Sequence, residues 1–269
     1  MRSGWDEEDT IVAFRCTDHY GDHNHWDQGS FLIYRNGPLA VDAGRYRKTR
    51  GPQQRTDNHN TLLFGGEGQR RVRGQDYSTL ESFKRDLHQR RNLDTGDLVF
   101  FHDTPDWSAV AGQFAQAYSR EHVASCVRQL LFVRPHTIIV VDHLAASPGT
   151  SLPDVQWLLQ TAGEPDVKDG FATTSNGKSW LTCRALSPGS SHPKVEPSRD
   201  GAYRTIYSYA GKEQLTLIHM LQTGDGAPGE LRPAPPVNVT DTSVELTLDA
   251  GRFRLAREGR FEISQVAGS

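Results

Sequence analysis

SFLIYRNGPLAVDAG, residues 30–44, decides the fold. Two runs rich in apolar and β-branched residues flank Asn36-Gly37. Asn and Gly both tolerate the positive φ that a tight turn demands, so the pair between such runs is a strong hairpin signal. The pattern predicts a strand over 30–35, a turn, and a second strand over 39–43. His25 stands just before the first strand and Asp42 at the end of the second, so the hairpin brings them side by side. A third strand, TLLF at 61–64, follows His59. His25 and Asp42 are 17 residues apart, and so are Asp42 and His59. Two imidazoles and a carboxylate from three neighbouring strand ends are a donor set that suits Zn²⁺.

Outward from this hairpin the chain keeps reading as sheet. TIVAFR (10–15) predicts a first strand. VRQLLFV (127–133) and TIIVVDHL (137–144) form a second hairpin around Arg134-Pro135, and the β-branched run marks a strand buried on at least one face. Residues 98–101, 155–160, 170–174, 179–186, 205–209 and 215–222 are further strand candidates, and 109–118 fits either helix or strand. In SVELTLD (243–249) the alternation of Val244, Leu246 and Leu248 with polar neighbours leaves one face wet. Strands at 252–256 and 261–264 close the chain. The fold class is therefore all-β, a large antiparallel β-sandwich of many strands with little helix. SPGTSLPD (147–154) is a Pro/Gly/Ser connector. It sets a soft boundary between a metal-site region, 1–146, and the remaining strands, 147–269; one continuous domain is the alternative.

Composition narrows the chemistry. At 269 residues the chain is long enough for a sizeable core. No apolar run approaches the roughly 18 residues of a membrane span. Three cysteines, Cys16, Cys126 and Cys183, lack zinc-site spacing and sit among strand residues, which predicts buried free thiols. Net charge is −3, yet residues 45–91 hold 12 Lys and Arg against 5 Asp and Glu. A basic stretch beside the metal motif suits a polyanionic ligand. The rest of the chain is acidic and carries no nucleic-acid motif, so nucleic acid is a poor fit. Arg45, Tyr46 and Arg47 lie in the basic, Gly-Pro-broken loop after the hairpin and are the candidate substrate contacts. The start, MRSGWDEED, has no signal-peptide shape and reads as a beginning in mid-protein.

The elements His23-x-His25-x-Asp27-x-Gly29-Ser30-Phe31, Pro38 to Gly44, and His59 to Leu62 resemble the signature of the heparinase II/III-like polysaccharide lyases. The resemblance implies one metal ion, usually zinc, held in the β-sandwich by His25, Asp42 and His59. It implies that His23 faces the substrate cleft, where an imidazole titrates in the range useful for acid–base work or carboxylate contact. Asp27, Gln28 and Asn60 flank the ligands and are candidates for hydrogen bonds that orient them, with Asp27 also able to serve as a ligand itself. The implied reaction is β-elimination on an acidic, uronic-acid polysaccharide (heparan sulfate-like, alginate-like or another uronate polymer). A periplasmic or secreted setting is implied as well. In the family a helical N-terminal domain supplies the catalytic Tyr and the Asn or His at the uronate carboxylate. That domain is absent from this stretch, so the resemblance implies the C-terminal half of a larger lyase, or a truncated relative. Two other readings fit the residues: a non-catalytic module that binds acidic polysaccharide, and a zinc-dependent hydrolase.

Overall fold

The computed structural model describes residues 1–18, 24–44, 52–70, 79–81, 94–228 and 233–266. The first strands are β1 (Ile11–Arg15), β2 (Ser30–Tyr34), β3 (Pro38–Ala40) and β4 (Leu62–Phe64). Next come β5 (Asp97–Asp103), β6 (Trp107–Gln113), β7 (Val123–Val133) and β8 (Thr137–Ala146). β9 (Val155–Thr161), β10 (Asp166–Lys168), β11 (Phe171–Ser175) and β12 (Ser179–Ala185) follow. β13 (Lys194–Pro197), β14 (Tyr203–Tyr209) and β15 (Gln214–Asp225) complete the sandwich. β16 (Val237–Val239), β17 (Ser243–Leu248), β18 (Gly251–Ala256) and β19 (Ile263–Val266) form a small last sheet.

The fold is all-β, with every pairing antiparallel. One large sheet runs β1-β2-β3-β9-β14-β13, with β4 also on β9; the other runs β10-β11-β12-β15-β8-β7-β6-β5. Both draw strands from either side of the 147–154 connector, and one apolar core holds residues from Val12 to Leu221. The third sheet, β16-β17-β18-β19, covers the far side of the second. The residues 109–118 resolve as strand β6 followed by a 3₁₀ turn at Ala115–Ala117. All three cysteines are buried and free. No helix among the described residues is long and apolar enough to cross a membrane.

The run TIIVVDHL owes its apolar density to burial on both faces. Side chains alternate across a strand. Ile138, Val140 and Leu144 enter the core between the two large sheets, while Ile139 and Val141 enter the core under the small sheet. β7 splits the same way, with Leu130 and Phe132 on one side and Leu131 and Val133 on the other. Each such side chain contributes roughly 1.5–3 kcal/mol through burial. In the small sheet Val244, Leu246, Phe253, Leu255 and Ile263 pack inward, as the alternation in 243–249 predicts.

The Asn36-Gly37 turn forms, with Asn36 at φ 51° and Gly37 at φ 140°. The second strand of that hairpin is shorter than the predicted 39–43. It ends at Ala40, because Val41 N–H bonds Gln160 O (3.0 Å) and Ala43 N–H bonds Asn58 O (3.0 Å) instead of continuing the ladder with β2.

Polar side chains inside these layers are tied down. Gln129 gives its amide to Ala256 O and Phe261 O, each at 2.9 Å, so its Oε1 accepts from His143 Nε2–H at 2.7 Å. The network thereby assigns His143 as the neutral Nε2–H tautomer. Its Nδ1 is buried with no hydrogen-bond partner among the described residues. Burial, with Arg257 nearby, pushes its pKa down from 6.5 to about 3. The unfolded chain takes up this proton below pH 6.5, and the folded chain does not until about pH 3. Stability is therefore lost as pH falls through that window. His143→Gln keeps a donor for Gln129 and removes the titration. We expect its unfolding free energy, measured by urea denaturation, to fall less between pH 6.5 and 4.5 than that of the wild type, by roughly 1 kcal/mol per pH unit. Equal losses would show that His143 is not the source.

Candidate metal centre

The site forms at a gap along one edge of β9. β3 meets that edge only where Ala40 pairs with Thr161. β4 meets it lower down, with Leu62 opposite Trp157. Between them the chain leaves the sheet at Val41 and returns at Thr61, whose carbonyl accepts from Leu158 N–H at 3.0 Å. Asp42 sits on the departing segment and His59 on the returning one. A third segment, ahead of β2, carries His25 and Asp27. Trp26 N–H bonds Gln54 O (2.8 Å), Ala43 N–H bonds Asn58 O (3.0 Å) and His59 N–H bonds Thr56 O (3.1 Å), which sets all three segments on backbone hydrogen bonds.

This brings the predicted ligands together. His59 is fully buried, and its Nδ1 contacts Asp42 Oδ1. His25 Nδ1 lies 3.6 Å from Asp42 Oδ2, and the two imidazole rings are 5.0 Å apart. His59 Nε2 is buried with no hydrogen-bond partner among the described residues. An orphaned imidazole nitrogen in a polar cluster is the kind of atom a metal ion satisfies. The donor atoms that lie within 4.8 Å of one another belong to His25, Asp27 and His59, with Asp27 in the place expected for Asp42; Asp42 meets His59 at Nδ1, the ring nitrogen other than the unpartnered Nε2. Two carboxylates thus flank the imidazoles. Asp42 contacts both rings, whereas Asp27 also lies 3.1 Å from Arg15 Nε, with its Oδ1 lacking an aligned hydrogen bond. An N₂O donor set with a second carboxylate at hand fits zinc.

The charges respond to this packing. Burial pushes the Asp42 carboxyl up, but hydrogen bonds from His25 and His59 together outweigh it and hold the group well below the usual carboxylate range. The same contact with Asp42 raises His25 against the lowering effect of burial. Burial raises Asp27, offset in part by His59 and Arg15.

Gln28 and Asn60 support the site differently from the sequence expectation. Neither bonds an imidazole among the described residues. Gln28 Oε1 accepts from Thr17 N–H at 2.8 Å, and its backbone is gripped by Gln69 through Gln28 N–H to Oε1 (2.9 Å) and Nε2–H to Gln28 O (2.8 Å). Asn60 Nδ2–H bonds Phe31 O (2.6 Å) and Val41 O (3.1 Å), and its Oδ1 accepts from Gln160 N–H (2.5 Å). Its side chain fills the gap where the β9 ladder is interrupted and ties the backbone beside Asp42 to β2 and β9. His23, Arg45, Tyr46 and Arg47 lie outside the described residues.

Arg15, Gln69, Arg128 and Asp142 were not singled out from the sequence. A signal existed for the last two. Each is a charge inside an otherwise apolar strand, of opposite sign, on either side of a short turn, and the register pairs them across β7 and β8.

The sequence profile described as heparinase II/III-like, C-terminal, matches residues 3–229. A search of curated protein sequences gave no match. Among solved structures, the chain is similar to heparan sulfate lyase HepC from Pedobacter heparinus, with a TM-score of 0.68 and 12% identity over 95% of this chain and 40% of that one. It is also similar to heparinase III, the BT4657 gene product, with a TM-score of 0.68 and 14% identity over 94% of this chain and 40% of that one. A further heparinase III structure gives a TM-score of 0.64 and 15% identity over 95% and 40% of the two chains. At such identities the likeness speaks for the fold, and the chain spans about 40% of the length of these structures. With the profile covering the hairpin, the three ligand segments and both large sheets, the chain belongs to the heparinase II/III-like C-terminal family.

Proposed function

We propose that this chain is the metal-bearing β-sandwich part of a polysaccharide lyase that cleaves an acidic, uronic-acid polysaccharide by β-elimination. The observation that supports this best is the His25–Asp42–His59 cluster at the gap in the β9 edge, within a chain of this family. The elimination breaks the C5–H and C4–O bonds of the uronate and forms the C4–C5 double bond. A base takes the C5 proton, an acid protonates the departing oxygen, and the uronate carboxylate must be neutralised.

In this reading His25, His59 and one carboxylate hold a zinc ion: Asp42 is the ligand the family pattern implies, and Asp27 is the one whose donor atom clusters with the two imidazoles. Bound zinc would organise the loop and supply Lewis acidity toward an oxygen. His23, two residues from His25, presents its imidazole for proton transfer or carboxylate contact. The basic stretch 45–91, with Arg45, Tyr46 and Arg47 at its start, draws the polyanion to this face. Residues beyond this chain complete the elimination site, since the chain spans about 40% of the solved family structures. The names of those neighbours, a heparan sulfate lyase and heparinase III, favour a glycosaminoglycan as the substrate class. A polymer of that kind places the enzyme in the periplasm or outside the cell.

Elemental analysis of the purified chain is expected to give about one zinc per chain. His59→Ala should lose it while retaining the far-ultraviolet signature of sheet. A folded, zinc-free wild type would remove the metal from the site. Asp42 touches both imidazoles, so Asp42→Asn should weaken zinc binding by at least about tenfold, and more than Asp27→Asn does. The reverse order would make Asp27 the carboxylate ligand. In the full-length enzyme, turnover of a uronate polymer should raise ultraviolet absorbance as unsaturated uronate forms, which hydrolysis does not do. His23→Ala should lower kcat about 10²–10⁴-fold with zinc content intact. Unchanged kcat would remove His23 from the chemistry, and affinity without turnover would favour a binding module.

A further inference from the structure

An ion pair is buried between the two large sheets. Arg128 on β7 and Asp142 on β8 are both fully buried and stand opposite each other in the register. Nε and Nη2 of Arg128 donate to the two Asp142 oxygens at 2.7 and 3.0 Å. Trp157 Nε1–H adds a third hydrogen bond to Asp142, at 3.0 Å. Such a pair contributes little net stability, because desolvating two charges offsets most of their attraction. Fold stability alone therefore gives no account of what this pair does.

Its remaining donor indicates a role. Nη1 of Arg128 reaches across to the opposite sheet and donates to Gly29 O and to Asn60 O, each at 2.7 Å. Gly29 lies two residues after Asp27, and Asn60 directly follows His59. One nitrogen, carried on the rigid β7–β8 pair, thus holds two of the three ligand-bearing segments at a set spacing. Asn60 passes the restraint to the third, because its amide bonds Val41 O, next to Asp42. Gly29 has little room to adjust: its φ is +75°, and a Cβ there would lie 2.3 Å from Phe114.

We propose that Arg128, oriented by Asp142, is a positioning residue for the metal centre. It fixes the separation of the His25/Asp27, Asp42 and His59 segments from inside the sandwich and so sets the affinity for the cation. This rests on the metal reading above. A guanidinium suits the task because its planar fork satisfies a carboxylate and two carbonyls at once, which an ammonium does not.

The test compares the wild-type chain with Arg128→Met/Asp142→Leu, which removes both charges together and avoids leaving one buried alone. Arg128→Lys, which keeps the charge beside Asp142 but not the fork, provides a second variant should the first fail to fold. Zinc affinity is measured by competition with a chromophoric chelator. Amide hydrogen exchange is measured in the metal-free state. The double variant should bind zinc about 10–100-fold more weakly, with Arg128→Lys in between. Exchange should quicken at residues 26–30 and 58–61 while β7 and β8 keep their protection. Zinc binding within about twofold of wild type in a folded variant, or exchange that quickens uniformly, would overturn the proposal. If wild type takes up no zinc, the metal reading fails, and unchanged exchange at the two segments would then overturn the clamp separately.

Discussion

β7 and β8 are covered on both faces, and that constraint governs every polar group they carry. Water is excluded on either side, so a charge or amide there must find its partner within the protein. Strand parity sorts the partners. Arg128 and Asp142 point between the large sheets, where Arg128 reaches Gly29 O and Asn60 O and Asp142 accepts from Trp157 on β9. Gln129 and His143, one residue on, point the other way and secure the small sheet at Ala256 and Phe261. The same two strands thus fasten the layer above and the layer below, each through a single polar pair set in an apolar field.

The other structural condition is the gap on β9. A continuous strand there would pair every backbone group and leave no chain free to turn out of the sheet. Two short strands, β3 and β4, share that edge instead, and the backbone between them must be satisfied by other means. Asn60 does this with its side chain, accepting from Gln160 N–H where a strand carbonyl would sit and donating to Val41 O. The site and the broken ladder are therefore one feature: the residues that would have completed the sheet carry Asp42 and His59.

Much of this was legible in the residues themselves. Asn36-Gly37 fixes its turn by backbone preference, and the run from Ile138 to Val141 has the density that two-sided burial demands. The hairpin was expected to bring His25 beside Asp42, and the structure sets Asp42 against both His25 and His59. What local pattern could not show was the dependence on distant strands. The strand predicted to continue to Ala43 stops at Ala40 because Gln160 and Asn58 compete for its amides. Short polar strands such as β10 and β13 carry no apolar alternation, since β10 lies exposed at a sheet edge and β13 is only partly covered. Asn60 and Gln28 were expected to orient the imidazoles, but among the described residues their side chains bond backbone, a distinction that depends on which backbone groups the fold leaves unpaired.

The cluster's own charge balance argues for a cation independently of family. Asp27 and Asp42 bring two carboxylates to one small volume, and Arg15 is the guanidinium that the described residues set against Asp27. His59 meets Asp42 through one ring nitrogen and leaves the other buried and unpartnered. Protons on the imidazoles can offset the negative charge but do not satisfy that nitrogen, since a buried N–H without an acceptor is as costly as a buried lone pair without a donor. A divalent ion does both at once: it neutralises the carboxylates and takes the lone pair.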